Sequence, residues 1–444
     1  MSESPYNVED LPQIRAGAAQ TVITPPLDCY LAGYFHDRLA TRVRDDLYCR
    51  ALVLEGAGGR IALVSLDLVC VVSEWADVAR AQIQERTGIG ADKVLICATH
   101  THTGPAVRRL RPRWVQEEWL SSLPEMIADT VARASDNMFD ALLFPGRQED
   151  DYCTHNRVAR RKNGSEVFYR QQDDLIGPAG PIDPELLALG VRDHEGNMRA
   201  MVINYATHAD VIGGGSADFI SADWPGEIPR TIRAAYGDDT VALFLNGPCG
   251  DSAPRVWRET RLPQSGPAKA VQLGRALAGL AMNAAEKAEP LESSECVGAM
   301  RMLDIPYYTR TEEFTAEIEE LRGRDDLAYF EQAIIDRADG WESDGETAHV
   351  PVQVLRVGDL VFVGLPGEFF TRWGLEIKHW SPAEYTFVVE LANDWFGYVP
   401  TTNQAHRGAY GAKPILSRRL DADGGRQMAD AVQVMLWELW DGEQ

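Results

Sequence analysis

"KVLICATHTHTGPAV", residues 93–107, runs from an unbroken apolar stretch into two histidines and a Gly-Pro turn. A short continuous apolar run reads as a strand buried on both faces. In an extended chain, residues i and i+2 point to the same side, so His100 and His102 are expected to face one pocket. Polar, ligand-capable groups at the carboxyl end of a strand are what α/β proteins use to line a crevice.

The same arrangement recurs four times. The run at 198–207 ends in His208. The run at 240–245 leads into "NGPCGDSAP" (246–254), with Asp251 and Ser252. The run at 360–365 leads into "PGEFF", with Glu368. The run at 386–391 leads into "NDWFGYVP" (393–400), with Asp394, Trp395 and Tyr398. Zinc accepts imidazole nitrogen and carboxylate oxygen, so His208 and Glu368 complete a His/His/carboxylate set with the HTH pair.

Helical patterns separate these runs. Residues 73–88 read as a helix with Ser73 as its cap and Gly88 as its stop. Residues 114–138 read as a helix kinked near Pro124. Others fall at 266–288, at the charged stretch 311–341 and at 425–440. A hairpin turning at Gly358-Asp359 is expected within 352–370. Helices and strands mix to the end of the chain. The expected architecture is α/β, a multilayer sandwich of mixed β-sheets flanked by α-helices. It is expected to form a single large domain over residues 1–444, with a charged helical insertion near 311–341.

Composition narrows the function. The 444 residues are 45% hydrophobic and carry a formal charge of −24. That charge disfavours nucleic acid and anionic membrane surfaces. No apolar run is long enough to span a bilayer, which takes about 18 residues or more. The start, "MSESPYNVEDLPQIR", lacks the basic and apolar regions of a secretory leader, so a cytoplasmic protein is expected. The seven cysteines form no CxxC pair and read as reduced core residues. "RRLRPR" (108–113) stands out in so acidic a chain. Arg108 or Arg109 can clamp a carboxylate or phosphate; alternatively the run pairs with the acidic surface.

"ATHTHTGP" resembles the "THTHSGP" signature of the neutral, non-lysosomal ceramidases and their bacterial relatives. Further segments agree in order: "AGAAQTVITPP", "RDDLYCRALVLE", "HNRVARR", "DPELLALGVRD", "NYATH", "GPCGDSAP", "GLPGEFF" and "NDWFGYVPT". The resemblance covers roughly residues 15 to 440. It implies one zinc per chain, held by His100, His208, Glu368 and Tyr398. It implies a catalytic or substrate-orienting role for His102, and roles for Arg157 of the Asn-Arg motif and Tyr410 in "RGAYGA". Two departures stand out. The family's "GDVSP" is here "GDSAP", so Ala253 replaces its serine and Ser252 lies one residue early. The chain also ends after the catalytic-type segment, without the C-terminal immunoglobulin-like domain of the full-length ceramidases.

The resulting expectation is a metal-dependent amidohydrolase of ceramidase-like type. A zinc-activated water would attack the amide of a soluble N-acyl compound. His102 would serve as general acid or base, Arg157 and Tyr410 would donate to the oxyanion, and Asp251 would hold a ligand histidine by its far nitrogen. Arg108, Arg109 and Trp395 are the expected substrate contacts. The alternatives are a zinc esterase or lactonase, a ceramidase proper, or a non-catalytic metal-binding homologue. The expected partner is a small molecule, with no nucleic acid and no membrane insertion. A homo-oligomer stays open.

Overall fold

Leucine- and valine-rich runs build the frame. The computed structural model describes residues 11–109, 115–169, 173–254, 261 and 263–441. Residues 110–113 of the arginine run and the expected helix start at Trp114 lie outside the described residues, as does most of the polar N-terminal stretch.

Eight strands form one mixed sheet: β1 (Ile14–Val22), β2 (Tyr48–Gly56), β3 (Gly59–Leu66), β4 (Val94–Ala98), β5 (Phe139–Glu149), β6 (Glu185–Asp193), β7 (Met198–Tyr205) and β8 (Val241–Asn246). Their order is β8-β7-β6-β5-β1-β2-β3-β4. Pairing is antiparallel except at the two ends, where β7 and β8, and β3 and β4, run parallel. In a flat sheet, β4 and β7 would stand roughly 30 Å apart at about 4.8 Å per strand. The sheet is not flat. It curls until β8 packs against β2, β3 and β4, and Ser65 Oγ of β3 donates to Phe244 O of β8 at 2.6 Å.

A second sheet contains β9 (Cys296–Pro306), β10 (Thr347–Val357), β11 (Leu360–Gly364) and β12 (Tyr385–Val389), in that order, with only β11 and β12 parallel. The expected hairpin joins β10 to β11 through Gly358, at φ 55°. Asn204 Nδ2 of β7 donates to Leu245 O at 2.8 Å and Val388 O at 2.9 Å, tying β8 to β12 across the two sheets.

Eight helices cover the sheets: α1 (Ser73–Thr87), α2 (Glu117–Asp136), α3 (Asp223–Tyr236), α4 (Pro267–Glu286), α5 (Glu312–Arg322), α6 (Tyr329–Asp339), α7 (Thr371–Trp380) and α8 (Gly424–Asp441). The period-2 alternation of β2 serves two cores. Ala51 and Val53 pack with Trp75, Ile83, Trp119 and Leu123 of α1 and α2. Leu52 and Leu54 face inward with Leu243 and Phe362. Each fully buried side chain of this size contributes about 1.5–3 kcal/mol. On the far half, α3 and α4 cover β6–β8 through Trp224, Ile228, Leu273 and Leu277. Trp373, Ile377, Met428 and Val432 of α7 and α8 cover the second sheet. α5 and α6 form a small cluster with Ile415 and Leu416. This is the mixed, helix-flanked multilayer sandwich expected.

Local differences have local causes. The charged stretch 311–341 breaks after Arg322 into two helices, with Gly323 closing the first. Ser73 is not a cap: Val72 holds that position without a side-chain bond, and Ser73 N donates to Asp394 Oδ1 at 3.2 Å. Pro124 lies inside the unbroken α2. The run at 386–391 stays a strand only to Val389, because Leu391 (φ 55°) and Asn393 (φ 71°) turn left-handed. The strand expected over 93–102 stops at Ala98. No helix among the described residues is long and apolar enough to cross a membrane.

Gly17 of β1 lies under α2, where an added Cβ would stand 2.0 Å from Ala134 O. Backbone on both sides leaves nothing to yield. Gly17→Ala is expected to cost about 1–3 kcal/mol, read as a lower urea midpoint. Gly279→Ala on the open face of α4, where nothing lies within 4 Å, is expected to leave stability unchanged or raise it by up to about 1 kcal/mol.

Candidate metal centre

Both histidines of the HTH motif sit in the loop after β4, not on the strand. His100 is left-handed at φ 70°, an uncommon state for a residue with a β-carbon. It is held by His100 N donating to Leu68 O at 2.9 Å. Thr101 Oγ1 donates to Ser221 O at 2.7 Å. The pair therefore reaches a common centre through a turned loop, and the alternation of an extended chain is not the reason. Gly33, at φ 95°, lets the neighbouring loop approach: a Cβ there would lie 2.5 Å from the His102 ring.

Three imidazoles converge. His100 Nε2 stands 2.9 Å from His208 Nε2 and 3.3 Å from His102 Nε2. Glu368 Oε2 lies 3.5 Å from His100 Nε2. The ligand atoms of the three histidines fall within 4.8 Å of one another. His208, His100 and Glu368 are buried.

The outer nitrogens distinguish the histidines. His100 Nδ1 lies 2.7 Å from Val69 O and His208 Nδ1 lies 3.3 Å from Cys249 O. A carbonyl only accepts, so each Nδ1 carries the proton, and in the neutral ring each Nε2 presents a lone pair inward. Two acceptor nitrogens 2.9 Å apart, with no hydrogen between them, repel. A cation removes the repulsion, and imidazole nitrogens beside a carboxylate are a donor set that zinc takes. Backbone carbonyls behind ligand histidines also fix ring orientation. His102 differs: its Nδ1 is buried without a partner among the described residues. Burial, and then His100, hold the His102 pKa well below its ordinary value, so it is neutral. Burial and then Arg157 do the same to His208.

Glu368 and Tyr398 pair as short parallel strands, with Glu368 N donating to Gly397 O at 2.9 Å. Burial alone would raise the Glu368 carboxyl, but His100, Tyr398 and Arg157 bring it down to about 2. Trp395 Nε1 donates to Glu368 Oε1 at 3.1 Å, so Trp395 orients this carboxylate as well as lining the cavity. Arg157 Nη2 donates to Tyr398 Oη and Gly250 O, both at 2.9 Å, and approaches His208 Nε2 at 3.4 Å. Its guanidinium lies 4.9 Å from the Tyr410 ring centroid. The structure thus brings together His100, His102, His208, Glu368, Tyr398, Arg157, Tyr410 and Trp395. Most of them line a cavity of about 850 Å³, together with Tyr34 and Arg108.

Two expected contacts are not made. Asp251 does not hold a histidine. Its Oδ1 accepts from Thr371 N (2.7 Å) and Thr371 Oγ1 (2.8 Å), and its Oδ2 accepts from Asn156 Nδ2 (2.7 Å). It joins Asn156, the neighbour of Arg157, to Thr371 at the start of α7, three residues after Glu368. Arg109 points away from the cavity and pairs with Glu117, at 2.8 Å, and with Glu74; the surface-pairing alternative is the one observed for it. Ser252 and Ala253 pair with Asn156 and His155, and neither lines the cavity.

Several supports went unread in the sequence. Arg38 Nη2 donates to His102 O at 2.8 Å and its guanidinium sits 4.4 Å from the Tyr34 ring centroid. Cys249 Sγ donates to Glu390 Oε1 at 2.8 Å, beside His208. Arg38 follows no apolar run, and Glu390 lies inside one, so neither carried a motif signal.

No protein-family model matches the chain. In sequence it is similar to the neutral ceramidase of Pseudomonas aeruginosa, at 23% identity over 282 residues, which span 59% of this chain and 40% of that protein. In fold it is similar to the crystal structure of neutral ceramidase from Pseudomonas aeruginosa, with a TM-score of 0.77 at 19% identity over 97% of this chain and 75% of that one. A ceramidase complexed with C2 gives a TM-score of 0.76 at 18% identity over 97% and 76%.

An added Cβ at Gly250 would stand 2.5 Å from Glu368 O. Gly250→Ala is therefore expected to displace Glu368 and weaken metal binding by about 10–100-fold, measured by competition with a chromogenic chelator. Asp223 tests the segment behind His208. It accepts from Ile212 N (3.0 Å) and Trp224 N (2.7 Å), while Trp224 Nε1 donates to His208 O (2.9 Å). Burial raises the Asp223 pKa to about 7 despite these bonds. The folded state thus binds a proton that the unfolded chain, at about 3.9, releases. That contribution to stability is full below about pH 4 and is lost as pH rises through about 7. Urea midpoints of the wild type, relative to Asp223→Asn, should fall between about pH 5 and about pH 8; a constant difference would contradict this.

Proposed function

The chain is a homologue of neutral ceramidase with the same fold, and on that premise we propose that it is a zinc-dependent hydrolase cleaving the amide bond of a soluble N-acyl compound. The observation that carries this reading is the pair of inward lone pairs on His100 and His208, fixed from behind by Val69 O and Cys249 O. One zinc per chain would be held by His100, His208, Glu368 and Tyr398; when bound, it supplies Lewis-acid polarisation of the substrate carbonyl and acidification of a water.

The remaining chemistry belongs to the chain. His102 is neutral, beside the centre and without a carbonyl behind its Nδ1, so its Nε2 is free to take a proton from the attacking water and return it to the leaving amine. Arg157 stays charged, and its bonds to Tyr398 and Gly250 aim it at the same space. With Tyr410 it supplies donors for the developing oxyanion. Trp395 holds Glu368 in one orientation. Ala253, and Ser252 away from the cavity, favour water over a serine nucleophile.

Metal analysis of freshly purified protein should give one zinc per chain. His100→Ala and His208→Ala should each lose metal and turnover together. His102→Ala should keep the metal and lose about 100-fold or more in kcat. Metal-free wild type, or hydrolysis surviving His208→Ala, would sink the proposal. A parallel panel of medium-chain N-acyl amides, esters and lactones reads the bond class directly, and preference for lactones would move the assignment to an esterase.

A further inference from the structure

Arg108 is half-buried in the wall of the catalytic cavity, yet its guanidinium makes no hydrogen bond or ion pair with any described residue, and its Nη2 is buried without a partner. Other buried arginines have at least one ion pair or hydrogen bond: Arg50 pairs with Asp67 at 2.8 Å, Arg356 with Glu295 at 3.3 Å, and Arg157 bonds Gly250 O. Arg109, one residue on, is paired twice. A buried guanidinium nitrogen without an acceptor is costly, and a chain with a net charge of −24 does not lack carboxylates to pair with it.

Two features show where its partner belongs. The guanidinium carbon lies 3.4 Å from the Trp395 ring centroid, a stack that fixes the plane of the fork and leaves its N–H edge for a planar acceptor. The same indole donates to Glu368, so the fork is one side chain away from the metal centre. Arg337 and Arg419, both half-buried, line the same cavity. Its other acids besides Glu368, Asp336 and Glu342, are exposed at the rim. Burial, and the nearby Arg337 and Arg419, bring the Arg108 pKa to about 9, which leaves it protonated at neutral pH.

We infer that Arg108, stacked on Trp395, is a substrate-binding residue that takes a carboxylate, so that the N-acyl substrate carries an acid group close to its scissile amide. This rests on the hydrolase reading of the neighbouring centre. A monoanion suits one unpaired fork beside the Glu368 carboxylate better than a phosphate dianion does.

The test compares N-octanoylglycine with N-octanoylglycinamide, which share the scissile amide and differ in the acid group. Arg108→Met keeps the stem against Trp395 and removes the fork. It should lower the ratio of kcat/KM for the acid over the amide by at least about 30-fold. Arg108→Lys, which keeps charge and length, should lower it by about tenfold and serves if Arg108→Met misfolds. A ratio within threefold of wild type in the folded variant overturns the inference. A second arm needs no turnover: hexanesulfonate, a poor metal ligand, should bind the wild type at least about tenfold more tightly than Arg108→Met by calorimetry. Equal affinities overturn the subsite. If the wild type hydrolyses neither amide, the hydrolase reading fails while the sulfonate arm still decides Arg108.

Discussion

The curl of the eight-stranded sheet is the constraint on which the site depends. Ser65 Oγ bonds Phe244 O across the closure, and the Asn204 amide bridges β8 and β12. Both are buried polar contacts in an apolar interior, where a donor left unmade costs about 1–3 kcal/mol. They hold one curvature, and that curvature sets the ends of β4 and β7 side by side. Without it, His100 and His208 would sit on opposite wings of a sheet. The second sheet then delivers Glu368 and Tyr398 from a third direction.

Electrostatics governs what the assembled centre can do. The neutral imidazoles of His102 and His208 and the ionised Glu368 carboxylate share one space with His100. Two of the imidazoles are locked by backbone carbonyls with lone pairs inward, which suits a cation and little else. The third has no such lock. Residues adjacent in sequence, in one "HTH" motif, are thus separated in role by what lies behind their outer nitrogens. The same logic separates Arg157, which bonds Tyr398 and Gly250 O, from Arg108, which stacks on Trp395 but makes no hydrogen bond among the described residues.

Much of this was legible in the sequence. Apolar runs and the Gly358-Asp359 hairpin mark β4, β7, β8, β10, β11 and β12, and the five runs that end in polar residues do end at the site or its supports. The misreadings share a cause. Asp251 follows Gly250 in a motif that suggests a reach to a histidine, but its carboxylate bonds Thr371 and Asn156, residues brought in by α7 and by a different strand. Arg109 follows Arg108 directly, yet in the loop one meets Trp395 while the other meets Glu117. Arg38 and Glu390 give no signal because no motif contains them, and their links to the site, Arg38 to His102 O and Cys249 Sγ to Glu390, span 64 and 141 residues.

The sequence by itself determined the alternating and continuous apolar patterns, the helix stops such as Gly88, the hairpin at Gly358-Asp359 and the residue types available at each strand end. These follow from backbone sterics and side-chain period, which act between neighbours along the chain. Only the tertiary structure decided which of those residues meet, which nitrogen of each histidine faces inward and which arginine lacks a partner. Those outcomes depend on sheet curvature and on contacts between segments far apart in the chain, such as the 241 residues between Arg157 and Tyr398, where no local rule reaches.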